Sequence, residues 1–400
     1  MTRKEALSSI LQRAERAGWA GADPYDGLDS TVGRLAVPLG PPARIFVIQS
    51  ALRLPWLRPL LGPRAWVNPK GVGHFLRAVV RGRMSLGEER AAELARLLIR
   101  ELESRAQGVA GGTAWGYPFP WQSRFFYAPA GTPNAVVTST VGWHLLAAAD
   151  AFGDSTARRL AECAGRFLQN GLHWSSEASG GAAVSYTPLD LTRIVNVSGL
   201  VARLLARLGD RDRAERLTRF ILASQLENGC WPYATDRRGR WEDSFHTGFL
   251  LESLLHLRRD GVEVPDEAMR RGFCSYRRFF DADGGARLYA STEAVHDAHS
   301  AAQGIVTYAA AAEEPDGASL TGEDASAAAR RIADWAVRAL WLPDRGYFAY
   351  RAQGGERDER DFTRWVQAWM ALGLASAEAM SASPLRVAGT ESQGLGVEVA

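Results

Sequence analysis

A turn signal recurs through the second half of this 400-residue chain, at Asn170-Gly171, Asn228-Gly229, Asp283-Gly284 and Asp344-Arg345-Gly346. Successive glycines stand 58, 55 and 62 residues apart. Self-similarity at such a period confines a chain to stacked copies of one supersecondary unit. A segment with apolar residues at helical spacing precedes each turn. In the second, Ala214, Leu217, Phe220, Ile221 and Leu226 form one stripe, while Arg213, Glu215, Arg216 and Arg219 face outward. Aromatic residues come next: Trp174, then Trp231 and Tyr233, then Tyr289, then Tyr347, Phe348 and Tyr350. An aspartate follows 13 to 19 residues past each glycine (Asp190, Asp243, Asp297, Asp361), and a far less polar helical segment begins after it.

Those second segments, 136–149, 194–205, 245–257, 301–312 and 366–374, are apolar or small on nearly every face. A helix apolar all round is buried on all sides. Each unit therefore reads as an outer amphipathic helix, a turn, an aromatic loop and an inner buried helix. Stacking six such hairpins about an axis predicts an all-α fold, an (α/α)6 toroid spanning 1–380. The N-terminal half supplies an outer helix at 5–17, a broken inner helix within 43–81 and a long outer helix at 86–105. The ring closes if the last inner helix packs beside the first outer one. Residues 381–400, rich in Ser, Gly, Ala and Val without periodicity, read as a disordered tail.

With 47 basic and 45 acidic residues, no global field gathers nucleic acid, and none is expected as a partner. Cys163, Cys230 and Cys274 fit neither a disulfide framework nor a paired metal motif and read as buried free thiols. No signal peptide precedes the charged first helix. The longest apolar run, 45–57, is broken by Arg53 and Pro55 and falls short of the ~18–20 residues that span a bilayer. It is expected as a core helix, with weak peripheral membrane contact as the alternative because both flanks are basic. A soluble, cytoplasmic protein is expected, and its oligomeric state is unspecified. Phosphate-loop, dinucleotide and HExxH motifs are absent, and no cofactor is expected. His296, Asp297 and His299 are too few and too closely set for a zinc site.

Every aromatic loop joins an outer helix to the start of an inner one, so all of them lie at one end of the toroid. The aspartates then ring a mouth above inner-helix N-termini, which carry partial positive charge. Helix capping alone accounts for one aspartate per unit. Their neighbours point further. Asp243-Ser244-Phe245-His246 sets a histidine one turn into the helix, and His296-Asp297-Ala298-His299 repeats the theme. Asp361 precedes Arg364 and Trp365, and Asp190 precedes Arg193. The longest loop, 111–134, carries Trp115, Tyr117, Phe119, Trp121, Phe125, Phe126 and Tyr127, too many rings for a solvated linker. Aromatic faces beside carboxylates, histidines and arginines suit a sugar ring, which stacks its C–H face and pairs its hydroxyls. A saccharide is the expected partner.

The strings Asn68-Pro69-Lys70-Gly71, Trp115-Gly116-Tyr117-Pro118-Phe119-Pro120-Trp121-Gln122-Ser123-Arg124, Asp243-Ser244-Phe245-His246-Thr247-Gly248, Asp297-Ala298-His299-Ser300-Ala301-Ala302-Gln303-Gly304 and Arg364-Trp365-Val366-Gln367-Ala368-Trp369-Met370 carry a resemblance. The chain resembles the VpsJ-like polysaccharide-biosynthesis proteins of bacteria, from about Asp23 to Ala375. Such proteins look like members of the six-hairpin glycosidase-like superfamily, which hosts glycoside hydrolases, uronate lyases and sugar epimerases. The resemblance implies that fold and a carbohydrate context. It departs at Val195-Asn196, where a His-Asn pair is expected. Proteins of this kind often bear a delta-aminolevulinic acid dehydratase label. That chemistry needs a Schiff-base lysine, and with Lys4 in a frayed first helix only Lys70 is left to serve.

Asp243, His246, His299, Asp190 and Asp26 are the candidate catalytic residues. Candidate substrate-binding residues are Tyr25, Trp115, Tyr117, Trp121, Arg124, Tyr127, Trp231, Asp297, Asp361, Arg364 and Trp365. A hydrolase needs two carboxylates from among Asp26, Asp190, Glu242, Asp243, Asp297 and Asp361. A uronate lyase or epimerase needs a base, drawn from His246, His299, Tyr25 or Tyr127, and a cation at Arg124 or Arg364. A non-catalytic glycan-binding protein is the alternative. An isoprenoid cyclase-like toroid rests on a single Gln225-Leu226-Glu227-Asn228-Gly229-Cys230-Trp231 match.

Overall fold

The computed structural model describes residues 1–382 apart from Pro55, Pro63 and 292–294. Of the tail expected at 381–400, residues 381–382 end a helix, and the rest lies outside the described residues. The described residues form six outer helices, Arg3–Arg16, Glu88–Ser104, Ser155–Asn170, Arg211–Ala223, Asp266–Tyr276 and Ala325–Leu340. Six inner helices alternate with them: Pro69–Arg81, Ala135–Phe152, Val195–Arg207, Ser244–Arg259, Ala298–Ala312 and Ala368–Ala382. Each inner helix packs on its two inner neighbours, and the sixth packs on the first. The first outer helix lies against the sixth inner one, and this contact closes an (α/α)6 toroid. Composition dictates the layers. Every residue from Ala298 to Ala311 is buried, as a helix apolar on all faces requires. Ala135–Phe152 is apolar and long enough to cross a membrane, but it is the second inner helix and 78% of it is buried in the ring.

The recurring glycine has a structural cause. Gly229 and Gly284 hold φ at +86° and +100°, and a Cβ on either would lie 2.3 Å and 2.5 Å from the carbonyl oxygens of Arg271 and Arg331. Those carbonyls belong to the next outer helix, so each turn seats its backbone on the following unit. Gly346 does the same across the closure, where its carbonyl accepts a hydrogen bond from Ser9 Oγ. In the unit before Gly229 the close approach is made by Gly181 against Phe220, not by Gly171. Gly229→Ala and Gly284→Ala should each lose about 2–4 kcal/mol in urea unfolding, combining left-handed strain with a backbone clash. Gly354→Ala, at φ +58° with nothing within 4 Å, should lose only the strain.

The tryptophans that follow three of the outer helices are equally structural. Trp115 Nε1 donates to Leu102 O at 2.8 Å, Trp174 to Leu168 O at 3.1 Å and Trp231 to Ile221 O at 2.9 Å. Each indole thus satisfies a carbonyl in the last turn of its own outer helix, where the helix leaves acceptors unpaired. Gln225 Nε2 adds bonds to Gly229 O and Ala268 O, so the Gln225-to-Trp231 string serves packing.

Two expectations need correction here. Residues 45–57 do not enter the core. The helix Pro41–Arg53 lies outside the ring with a short companion, Thr31–Ala36, in the long connection before the first inner helix. Both bury one face in a small cluster of Leu28, Ala36, Val47 and Ile48, separate from the main core. The thiols are free but not all buried: Cys230 is, Cys163 is half-buried and Cys274 is exposed.

Candidate functional site

The mouth is built at the inner-helix N-termini. Asn134, Asp243 and Asp297 cap the second, fourth and fifth inner helices through backbone N–H groups three residues on. Asp243 does more than cap. Its Oδ1 accepts from His246 N at 2.9 Å, while Oδ2 meets His246 Nδ1 at 2.7 Å and Trp241 Nε1 at 3.2 Å. Cap and third residue share a face, so one carboxylate holds both the helix start and the imidazole. With Nδ1 anchored, Nε2 of His246 is the atom left for proton exchange, and the side chain is 20% exposed.

Aromatic rings surround this pair. Tyr233 lies 4.7 Å from the His246 ring and stacks on Trp241 at 4.4 Å. Phe125 from the long loop stacks on both, and the Arg124 guanidinium lies 4.5 Å over Trp241. Phe245 bridges His246 to His299, with ring centroids 4.4 Å and 4.7 Å away. His299 is buried against Trp365 and Trp369, and both its ring nitrogens are without partners among the described residues. Burial, followed by the charges of Lys70 and Arg364, holds its pKa well below the ordinary value, so it is a neutral imidazole. Tyr25 packs edge-on to Trp365 at 5.1 Å. Burial pushes its phenol up to about 12, which makes it a proton donor and not the base that sequence reading allowed.

The remaining carboxylates are committed elsewhere. Asp190 is no helix cap. It accepts from the backbone N–H groups of Tyr186, Thr187 and Thr192 and from both threonine hydroxyls, which uses its lone pairs within one loop. Asp26 is fully buried, and both its oxygens lie 2.7 Å from Arg58 Nη2. Asp297 is bound by Arg351 Nε at 2.7 Å in addition to its cap. Asp361 pairs with Arg13 at 2.9 Å, beside a groove of about 440 Å³ on the first outer helix, and caps nothing. Glu242 accepts from Asn228 Nδ2 at 3.0 Å.

Several ring and cation assignments also change. Trp115 and Trp231 are core residues and line no mouth. Tyr117 shares a hydroxyl contact of 3.0 Å with Tyr186 and carries Arg364 over its face, with Trp121 edge-on. Tyr127 supports the outer flap, with Arg44 3.9 Å above its ring. Arg364 is not a free clamp. Its Nε and Nη2 grip the Asp23 carboxylate, with Nη2 to Oδ1 at 2.7 Å, and both side chains are buried. Arg364 and Trp365 sit in a π-helical turn, Thr363–Gln367, that leads into the sixth inner helix.

Two residues that sequence reasoning passed over belong to the site, and so does Lys70, which it weighed only as a Schiff-base lysine. Asp23 orients Arg364, and Arg351, on a strand paired with His296–Asp297, is the cation beside Tyr25. Lys70 is buried, with Nζ 5.4 Å and 5.7 Å from the Phe249 and Trp369 rings and no ion pair among the described residues. Burial and then Arg364 push its pKa well below the ordinary lysine value. One signal for it was in the sequence: it is one of only two lysines, and it stands in the first turn of an inner helix. At the opposite end of the ring, a cavity of about 670 Å³ is lined by Arg77, Arg81, Arg207 and Arg259 with Trp143 and His256, and none of the expected site residues reaches it.

Several solved structures share this (α/α)6 fold. A family 76 α-mannanase from Bacteroides thetaiotaomicron superposes with a TM-score of 0.59 at 13% identity, over 78% of this chain and 87% of its own. Cellobiose 2-epimerase from Bacillus thermoamylovorans gives 0.60 at 10% identity, over 78% and 88%. A D-mannose isomerase gives 0.56 at 14% identity, over 78% and 87%. At such identities the likeness concerns the fold. No family model matches the chain, and no curated protein does.

Proposed function

We propose that this chain is a carbohydrate-active enzyme that moves a proton at a sugar carbon, in epimerase, isomerase or uronate-lyase fashion, with His246 as the base. The observation that carries this reading is the Asp243–His246 pair. Asp243 orients a partly exposed imidazole at an inner-helix N-terminus, while Asp26, Asp297 and Asp361 are held in ion pairs. Asp281 holds His296 Nε2 at 2.7 Å in the next unit, but that carboxylate is shared with Arg287. Hydrolysis by two carboxylates would need a second free carboxyl facing the first. The superpositions on a mannanase, a cellobiose 2-epimerase and a D-mannose isomerase support a carbohydrate substrate. The VpsJ-like strings support a bacterial polysaccharide or its oligomers as the source of the sugar.

In the proposed site His246 Nε2 removes the proton and Asp243 stabilises the imidazolium through Nδ1–H. The protonated Tyr25 and the Arg351 guanidinium lie where they can steady a developing oxyanion. Tyr233, Trp241 and Phe125 offer the stacking face. The test is incubation of purified protein in D2O with reducing disaccharides, mannose and uronate oligomers, read by NMR for deuterium at carbon and for new isomers. His246→Ala should cut turnover by about 10²–10⁴-fold with the fold intact. Release of reducing ends without exchange would assign hydrolysis instead, and full activity in His246→Ala would sink the centre. The stacked Phe125–Tyr233–Trp241 surface favours one other reading, a glycan-binding protein, which would show binding without turnover.

A further inference from the structure

The connection between the first outer and first inner helices carries a feature the catalytic reading does not use. From Thr31 to Lys70 the sequence has no Asp or Glu, and it holds Arg34, Arg44, Arg53, Arg58, Arg64 and Lys70. The helices Thr31–Ala36 and Pro41–Arg53 turn Gly33, Ala36, Val47, Ile48 and Ala51 inward. Their outer faces leave Val32 51%, Leu35 71%, Leu39 72% and Phe46 72% exposed, and Trp56 just beyond is 66% exposed. Both helices bury their inner faces in the same small cluster, so these exposed groups all belong to one small unit outside the ring. Large apolar groups gathered in one exposed patch mark an interaction surface, where single scattered ones do not.

We infer that this flap is a docking surface for an anionic lipid membrane. Charge selects that occupant. Arg58 is spent on Asp26, and Arg44 on Val37 O, Gln122 and the Tyr127 ring. Arg53 and Arg64 remain exposed with no ion pair among the described residues, and exposed Arg34 donates to Asp29 O at 3.0 Å and meets the Asp29 carboxylate only at 3.9 Å. Exposed Leu, Phe and Trp beside arginines, on a segment that itself carries no acid, match an interfacial helix that sinks its apolar face to the level of the headgroups. Flap and ring are braced: Arg360 donates to Ala51 O and Leu52 O, and Arg58 fastens the flap to Asp26. The surface is therefore presented as a rigid plate. Arg44 ties it to the aromatic loop, so a docked membrane would lie beside the mouth. The inference stands whatever chemistry the mouth performs.

Flotation of the full chain with vesicles of phosphatidylcholine alone, or mixed with phosphatidylglycerol, tests it. Binding should be at least about tenfold stronger on the anionic vesicles and should weaken with salt. Leu39→Ser with Phe46→Ser should abolish it, and Arg34→Gln, Arg53→Gln and Arg64→Gln together should reduce it about tenfold, with thermal midpoints unchanged because all these side chains are exposed. No flotation on anionic vesicles overturns the proposal. So does a concentration-dependent dimer that Phe46→Ser dissolves, since the patch would then meet a second copy.

Discussion

Between about pH 7 and about pH 5 the protein should lose several kcal/mol of folding stability, because His74, His144 and His299 are buried, and His256 half-buried, as neutral imidazoles. Burial is the leading cause in each, and neighbouring cations add to it: Arg203 and Arg77 face His144 and His256, while Lys70 and Arg364 face His299 and His74. The folded pKa of each lies below the unfolded one. As pH falls through about 6.5, the unfolded chain takes up protons that the folded chain refuses, so stability drops on the acid side and is fully present above that pH. One such group gives a limiting slope of about 1.4 kcal/mol per pH unit, and the four together give about 5.6. Urea midpoints across this range measure the total, carboxylates included. The histidine share is isolated by His144→Gln. His144 Nε2 lies 3.2 Å from His74 Nδ1 on the toroid axis, and a glutamine amide can keep that bond without titrating. The variant's slope should be shallower by about 1.4 kcal/mol per pH unit. Equal slopes would mean that these imidazoles do not stay neutral.

Asp23→Asn and Arg364→Met should each cost about 3–5 kcal/mol, since either leaves one buried charge without its partner. The pair links the loop after the first outer helix to the turn before the sixth inner helix, so it fastens the two ends of the ring. Thr363 N donates to Ala22 O at 3.1 Å beside it. Asp23→Leu with Arg364→Met should recover most of the loss, because an apolar pair of similar volume removes both desolvation penalties. Urea unfolding of the singles and the double gives the coupling directly. If Arg364 served only to hold substrate, Arg364→Met would lower activity and leave stability unchanged.

The repeat made the toroid legible. Inner helices begin at Ala135, Ser244 and Ala298, directly after the predicted Asn134, Asp243 and Asp297, because a cap acts on the three residues that follow it and needs nothing distant. The Asp243–His246 bond was readable for the same reason: its donor and acceptor lie three residues apart on one face. Asp190 and Asp361 carried the same local signal and do other work. Asp190 turns back into its own loop, and Asp361 meets Arg13, 348 positions away in the chain. No periodicity in either segment distinguishes these outcomes.

The aromatic repeat divided in a similar way. Its spacing located an aromatic ring after each turn, but whether a tryptophan there faces a sugar or a helix end depends on the carbonyl within reach of its Nε1. At Trp115 and Trp231 that carbonyl belongs to the outer helix just before the turn. The flap at 31–57 misled composition altogether, because an apolar run looks the same whether it fills a core or waits on a surface. The sequence by itself determined the number of hairpins, their layers and one acid–base pair, since all three rest on contacts within a few helical turns. Only the closed ring decided which charges are spent on one another. Partners such as Asp23 and Arg364 lie 341 positions apart and meet because the last hairpin packs on the first.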